Sequence, residues 1–358
     1  MRYELLPGTT LILRGPASFT LLTGEVKILG GSLAQNHKRT IPAQRQLPIE
    51  TESNAELEIL LGKSAETFEV KGSTIPASWR LAADAVKVMG QGKVVILEPT
   101  DVGKSTLCVY LVNKLLQDGE KVRVVDADIG QADLGPPTTI TRAIPTQHIV
   151  SLTDLLPDER LFIGHTSPGY VQGKLIDGIG KLSGEDHQSI TIINTDGWVT
   201  DPEAVVYKIR LVTEVKSDIV LGLAFAKELN PILSGARAYS MRVEPAKDVL
   251  GRSRADRRTT RAIAYRRFLE GAASHRLDLG NVQVSAPNHF PSITVRNRGE
   301  LRNVLVGILK EDGYLNEIGI LTDIENNAIR VYSKPVETRK IELGHVKLST
   351  SGREIGFL

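Results

Sequence analysis

The chain has 358 residues, 41% of them hydrophobic, which is more than one ordinary core organises and enough for two or three domains. Lys and Arg (44) nearly balance Asp and Glu (42), so no global positive charge advertises nucleic acid and any basic surface must be local. A single cysteine, Cys108, excludes an intramolecular disulfide, the start MRYELLPGTT has no apolar signal core, and no apolar run approaches the roughly 20 residues of a membrane span, so the expectation is a soluble, cytoplasmic or otherwise reducing setting with no membrane partner.

Residues 1–75 alternate short apolar runs with glycine or polar breaks, as in TTLILRG, FTLLTGEVKILGG and AELEILLG, the spacing of a small antiparallel β domain. Residues 76–275 switch to strands alternating with longer helical stretches. KVVIL is a short buried strand, and the stretch from Lys104 to Gln117 places Leu107, Leu111 and Leu115 on one helical face. KVRVVDAD, SITIINTDGW and SDIVLGLA supply further buried strands, as a parallel α/β sheet requires. From 276 to 358 β character returns. LVGILKEDGYLNEIGILTDIENNAIRVYS alternates around a turn at Asp312-Gly313 and a polar turn from Glu325 to Asn327, which predicts a meander.

Between KVVIL and the Leu107 helix stands EPTDVGKST, one residue short of the phosphate-loop pattern G-x-x-x-x-G-K-[ST]. The order of strand, loop and helix gives the pattern its mechanism. Backbone N–H groups of Asp101, Val102, Gly103, Lys104, Ser105 and Thr106 are expected to wrap phosphates at the positive end of the helix. Lys104 is then expected to reach the β- and γ-phosphates of a nucleotide, and the Ser105 hydroxyl to ligate Mg²⁺. The departure is Glu98 at the first glycine position. With its carboxylate about 7 Å from a phosphate and an effective dielectric near 20, the expected repulsion is about 2.4 kcal/mol, which weakens nucleotide binding without abolishing it.

VVDADIGQ follows at the end of the next strand, where an acid faces the ligand crevice of a parallel sheet; Asp128, beside Asp126, is placed to orient metal-bound water or to accept a proton. Capping of a solvated loop is the alternative. NTDGW places Thr195 to bond phosphate or base and offers the Trp198 face for stacking, although a lone Trp also suits a core. Residues 252–267 carry seven arginines against one acid, Asp256, with Arg254 and Arg258, and Arg257 and Arg261, at i, i+4. Such a run reads as a solvated basic helix or, since guanidinium forks suit phosphoryl oxygens, as a catalytic element.

PTDVGKST, DADIGQ, GHTSPG, INTDGW and the arginine block, in that order, resemble the polynucleotide 5′-hydroxyl kinase family, which includes the RNA kinase of the pre-messenger-RNA cleavage complex, the ribosomal-RNA-processing kinase and archaeal relatives. The resemblance covers about 200 central residues. It implies an α/β fold with a central P-loop NTPase domain (76–275) on a parallel sheet, flanked by an N-terminal β domain (1–75) and a C-terminal β-rich domain (276–358). It also implies ATP and Mg²⁺ as cofactors, RNA or DNA 5′-hydroxyl ends as substrates, and RNA-processing proteins as partners. Residue by residue it assigns Lys104 and Asp128 to catalysis, with Asp128 as the base and, with Ser105, a metal ligand. Arg257 and Arg261 form the lid, with Arg254 and Arg258 a second register. Thr195, Gly197 and Trp198 form a clasp, and Gln131, Thr166 and Ser167 meet the nucleic acid. A turn punctuated by Pro168 and Gly169 is the plainer reading of GHTSPG. Two rivals remain: a catalytically silent ATP-binding scaffold, because of Glu98, and a P-loop enzyme for a small molecule, which gives no reason for clasp and arginines together. The chain shows no N-K-x-D base-reading motif of a GTPase.

Overall fold

The apolar alternation at the start of the chain closes into two small antiparallel sheets. In one, Ala17–Thr23 lies between Lys38–Ile41 and Ala55–Leu61, which in turn pairs with Arg2–Leu5. In the other, Thr9–Arg14 lies between Gln46–Glu50 and Glu66–Lys71. Leu11, Leu13, Phe19, Leu21, Leu57 and Ile59 are buried, which is what the period-2 pattern is for. The computed structural model describes residues 1–184, 188–246, 251, 253–287 and 290–358. The chain divides into two units: Met1–Val124 with Ile144–Leu155 and Glu185–Arg252, and Val125–Ala143 with Leu156–Gly184 and Ser253–Leu358.

The first unit continues with helix Ala77–Met89, whose Trp79, Ala82, Ala83 and Val86 form a buried stripe. Strand Gly92–Leu97 then runs parallel to Ile190–Asn194 on one side and Ile219–Leu223 on the other, and the latter is parallel to Tyr239–Val243. Val122–Asp126 lies next to Ile190–Asn194 in the order of the sheet. Every residue of Ile190–Asn194 and of Ile219–Leu223 is buried, the signature of strands covered on both faces. Ligands of such sheets gather at the carboxyl ends of the strands, where the loop after Leu97 and the loop after Asn194 emerge.

In the second unit Thr139–Ala143 and Glu159–Phe162 form an antiparallel pair, a feature the alternation of strands and helices does not announce. The predicted meander is present as Val304–Leu309, Leu315–Ile324 and Ala328–Ser333, with Gly313 at φ +84° in its first turn. Strand Ala273–Asp278 adds to Ala328–Ser333, and Lys340–Leu348 adds to Val304–Leu309. Tyr265 and Leu269, from the helix Arg254–Leu269, pack with Phe162, Leu305, Ile318, Ile320, Val346 and Leu348 in one apolar cluster. Among the described residues no helix is long and apolar enough to cross a membrane.

Candidate functional site

Strand Gly92–Leu97 delivers the chain to the phosphate loop, and helix Lys104–Gln117 leaves it. The turn is made by Asp101 at φ +63° and Gly103 at φ +123°; only glycine tolerates the latter without strain. Lys104 stands at the first helical position, Ser105 and Thr106 follow half-buried, and Val102 is buried. Amides at this helix end and the helix dipole together make an anion site.

A side chain of the protein takes that anion position. Glu98 turns its carboxylate into the loop, where Oε2 accepts from the Lys104 amide and Oε1 lies 3.2 Å from Lys104 Nζ. Both side chains are about 95% withdrawn from solvent, at 5% and 4% exposure. The expectation of a carboxylate repelling phosphate from about 7 Å is therefore corrected: Glu98 engages the donors a phosphate would use. Its backbone φ is not positive, so the missing glycine strains nothing.

The clasp joins the same unit. A Cβ on Gly197 would come within 2.9 Å of Thr100 Oγ1 and 3.0 Å of Thr100 Cα, so glycine at 197 permits the two loops to touch. Thr195 is fully buried and its hydroxyl donates to Ile96 O at 2.9 Å, tying the clasp to the strand before the phosphate loop. Trp198, half-buried, donates from Nε1 to Asp201 Oδ2 at 2.6 Å and stacks on Tyr207 with centroids 5.9 Å apart.

Beneath the clasp lies a group that sequence reasoning missed. Asp196 Oδ2 accepts from Lys208 Nζ at 2.8 Å and from the Tyr207 hydroxyl at 3.1 Å, and its Oδ1 accepts from the Trp198 amide at 3.0 Å. Lys208 has no exposed surface and also donates to Asp196 O at 2.9 Å. A lysine on the helical stripe of Ala204, Tyr207 and Leu211 was the available signal, since an apolar face carries a cation only when a partner waits for it.

In the second unit the two acids of VVDADIG separate in role. Asp126 is buried and its Oδ2 accepts from the amides of Asp133 and Leu134 at 2.9 and 3.0 Å, which makes it an organiser of the following turn. Asp128 is half-buried, with Oδ1 accepting from Gly130 N at 3.2 Å and Gln131 N at 3.0 Å. Gln131 Nε2 donates to Gly130 O at 2.6 Å, while its Oε1 is buried without a hydrogen-bond partner. A Cβ on Gly130 would sit 2.9 Å from Thr166 O, so this loop meets GHTSPG at van der Waals range. There Thr166 and Ser167 are half-buried, and the Ser167 amide donates to His165 Nδ1 at 2.8 Å. Burial holds the His165 pKa below the usual histidine value.

Helix Arg254–Leu269 opens on a capping box in which Ser253 Oγ accepts from the Asp256 amide at 3.1 Å and Asp256 Oδ2 accepts from the Ser253 amide at 2.8 Å. That accounts for the single acid of the arginine run. Arg252 lies outside the described residues. Arg257 is half-buried, Arg254 exposed, and Arg258 61% exposed. Arg261 is 16% exposed and grips Glu354 with Nε and Nη2, the second contact at 2.8 Å. Burial alone would lower its pKa, but the Glu354 carboxylate raises it above the ordinary value, and Asp128 adds a smaller effect in the same direction. The first unit therefore gathers the phosphate loop with the clasp, and the second gathers Asp128, Gln131, Thr166 and Arg261.

A buried parallel strand, an anion-binding turn and a lysine at the first position of the next helix define a P-loop protein of the α/β class. Residues 98–271 match the family described as mRNA cleavage and polyadenylation factor CLP1 P-loop, and over most of its length the chain is similar to proteins named polyribonucleotide 5′-hydroxyl-kinase. It is 26% identical over 352 residues to the polyribonucleotide 5′-hydroxyl-kinase of Pyrococcus furiosus, covering 83% of this chain and 98% of that one. With the corresponding protein of Pyrococcus abyssi the identity is 28% over 340 residues, covering 79% and 96%. A CLP1 homolog of Nematostella vectensis is 27% identical over 281 residues, 71% of this chain and 65% of its own length. In three dimensions the fold is similar to Clp1p in a Clp1p–Pcf11p complex, with a TM-score of 0.75, 14% identity and coverage of 97% of each chain.

Proposed function

We propose that the chain is an ATP-dependent polynucleotide 5′-hydroxyl kinase, which moves the γ-phosphoryl group of ATP to the 5′-hydroxyl end of RNA or DNA. One observation carries the reading: the Lys104 amide and ammonium converge on a carboxylate at the start of a helix, so the loop holds an anion with the donors that phosphate requires. The names of the archaeal relatives point to the same reaction, and those of the Clp1 proteins to partners in RNA processing. The domain plan that goes with this reading is a P-loop domain at 76–275 between β-rich parts at 1–75 and 276–358.

The 5′-hydroxyl oxygen forms a bond to the γ-phosphorus as the bond to the β-phosphate oxygen breaks, and ADP leaves. Asp128 accepts the hydroxyl proton. Lys104 neutralises phosphate charge once Glu98 has given way. Arg257 and Arg261 meet the charge that develops on the transferring group. Mg²⁺ fits the donor set, since the half-buried Ser105 hydroxyl and Asp128 carboxylate are hard oxygen ligands, and the ion when bound neutralises phosphate charge. The buried, unpartnered Gln131 Oε1 suits a hydroxyl donor of the nucleic acid, and Thr166 and Ser167 of the same unit offer hydroxyls; in the first unit, Trp198 offers a ring suited to stacking on a base.

The Glu98–Lys104 ion pair favours a second reading, an ATP-binding scaffold of an RNA-processing assembly with its loop closed to turnover. Labelling decides between them. A single-stranded oligonucleotide with a free 5′-hydroxyl, incubated with Mg²⁺ and γ-labelled ATP, is expected to take up label, and the same strand carrying a 5′-phosphate is not. Lys104→Ala abolishes labelling, and Asp128→Asn abolishes it while ATP stays bound, because the amide cannot accept the proton. A natural chain that labels nothing, with activity appearing only in Glu98→Gly, makes the scaffold reading correct.

A further inference from the structure

We infer that Glu354 is a positioning residue for phosphoryl transfer, orienting the Arg261 guanidinium from the far end of the sequence; this rests on the kinase reading above. Glu354 is 93 residues from Arg261 in the chain and its side chain is only 6% exposed. Its two oxygens meet Nε and Nη2 of the guanidinium, a fork-to-fork pairing that fixes the plane of the group as well as its place. Two of five N–H donors are used in that pair, so a guanidinium held this way presents its remaining edge in one orientation. Arg258, one turn earlier, approaches the same carboxylate at 4.0 Å and donates to Glu354 O at 3.4 Å.

The backbone shows that this contact is built in. Glu354 begins strand Glu354–Phe357, which pairs antiparallel with Lys340–Leu348, and the turn between them is closed by Ser349 N to Arg353 O and Gly352 N to Ser349 O, both at 2.9 Å. Gly352, at φ +80°, lies so close to the arginine helix that a Cβ would stand 2.9 Å from Arg266 N and 3.1 Å from Ala262 O. Tyr265, one turn after Arg261, is wholly buried with Val346 and Leu348 of the same hairpin. The hairpin thus braces the helix through its backbone and its core, and Glu354 carries the brace to the guanidinium.

Its consequence for the chemistry follows from charge. Arg261 holds the Glu354 carboxylate in direct hydrogen-bonded contact, and Asp128 acts on the guanidinium more weakly through charge. Glu354 supplies the stronger partner. The fork keeps the arginine aimed at the charge of the transferring group.

Steady-state kinetics with Mg-ATP and a 5′-hydroxyl oligonucleotide test this in the full-length chain. Glu354→Gln keeps the size but loses the charge and the fork, and kcat is expected to fall by about 10- to 100-fold, with both KM values within about twofold, as a misplaced catalytic group implies. Glu354→Asp restores part of the loss. In an Arg261→Lys background Glu354→Gln costs nothing further, because the two residues act as one unit. A kcat unchanged in Glu354→Gln, a loss confined to thermal stability, or full additivity with Arg261→Lys overturns the inference while leaving an active natural chain and its kinase reading intact. A natural chain that labels no strand overturns both. Should Glu354→Gln fail to fold, Glu354→Asp alone and with Arg261→Lys gives the same decision.

Discussion

Replacing Glu98 by glycine is expected to tighten ATP binding and, at the same time, to loosen the nucleotide-free protein. In the loop Oε2 holds the Lys104 amide and Oε1 stands 3.2 Å from Nζ. At that separation and an effective dielectric near 20 the gross attraction is about 5 kcal/mol. Desolvation of two ions that are each about 95% buried offsets much of it. What ATP has to displace is then a charge-assisted hydrogen bond worth about 1.5–3 kcal/mol. Glu98→Gly removes that competitor, so Mg-ATP affinity should rise by up to about 2 kcal/mol, roughly thirtyfold in Kd. It also leaves Lys104 as a buried cation without its carboxylate, a change that costs about 3–5 kcal/mol of stability when no ligand is present. Calorimetric titration and thermal melts with and without Mg-ATP measure both halves: tighter binding, a lower nucleotide-free midpoint, and a larger rise on adding ATP. Equal or weaker affinity in the glycine variant, or an unchanged nucleotide-free midpoint, refutes the reasoning.

Two further predictions concern the clasp. Trp198→Ala is expected to raise KM for the oligonucleotide by an amount equivalent to roughly 1–3 kcal/mol while leaving ATP affinity unchanged, whereas loss of thermal stability at constant KM would confine the ring to its stack on Tyr207. Lys208→Met leaves Asp196 buried without its cation and should lower stability by about 3–5 kcal/mol in denaturant titration; a loss under about 1 kcal/mol would show that the Tyr207 hydroxyl and the Trp198 amide suffice to hold the carboxylate.

Local pattern alone determined a good deal of this protein. Short apolar runs became strands because a buried parallel strand is apolar on both faces, as in Ile190–Asn194 and Ile219–Leu223. The loop helix begins at Lys104 because Gly103 supplies a positive φ that stops the strand and starts the helix, and the turn at Gly313 follows from the same freedom. These are nearest-neighbour effects, legible in a window of a few residues. The order of motifs is equally local, so the phosphate loop, Asp128 and the arginine run are legible in the sequence.

What tertiary structure alone decided is the partner of each charge. Glu98 looked like a distant repeller of phosphate until the turn folded its carboxylate onto Lys104. The partner of the Thr195 hydroxyl, the Ile96 carbonyl, comes from a strand 99 residues earlier in the chain. Asp196 with Lys208, and Arg261 with Glu354, are pairs formed across 12 and 93 residues of chain, and nothing in either local sequence names the other member. The physical reason is that a charge's fate depends on what else is within a few ångströms after water has been removed, and that neighbourhood exists only once the chain has packed.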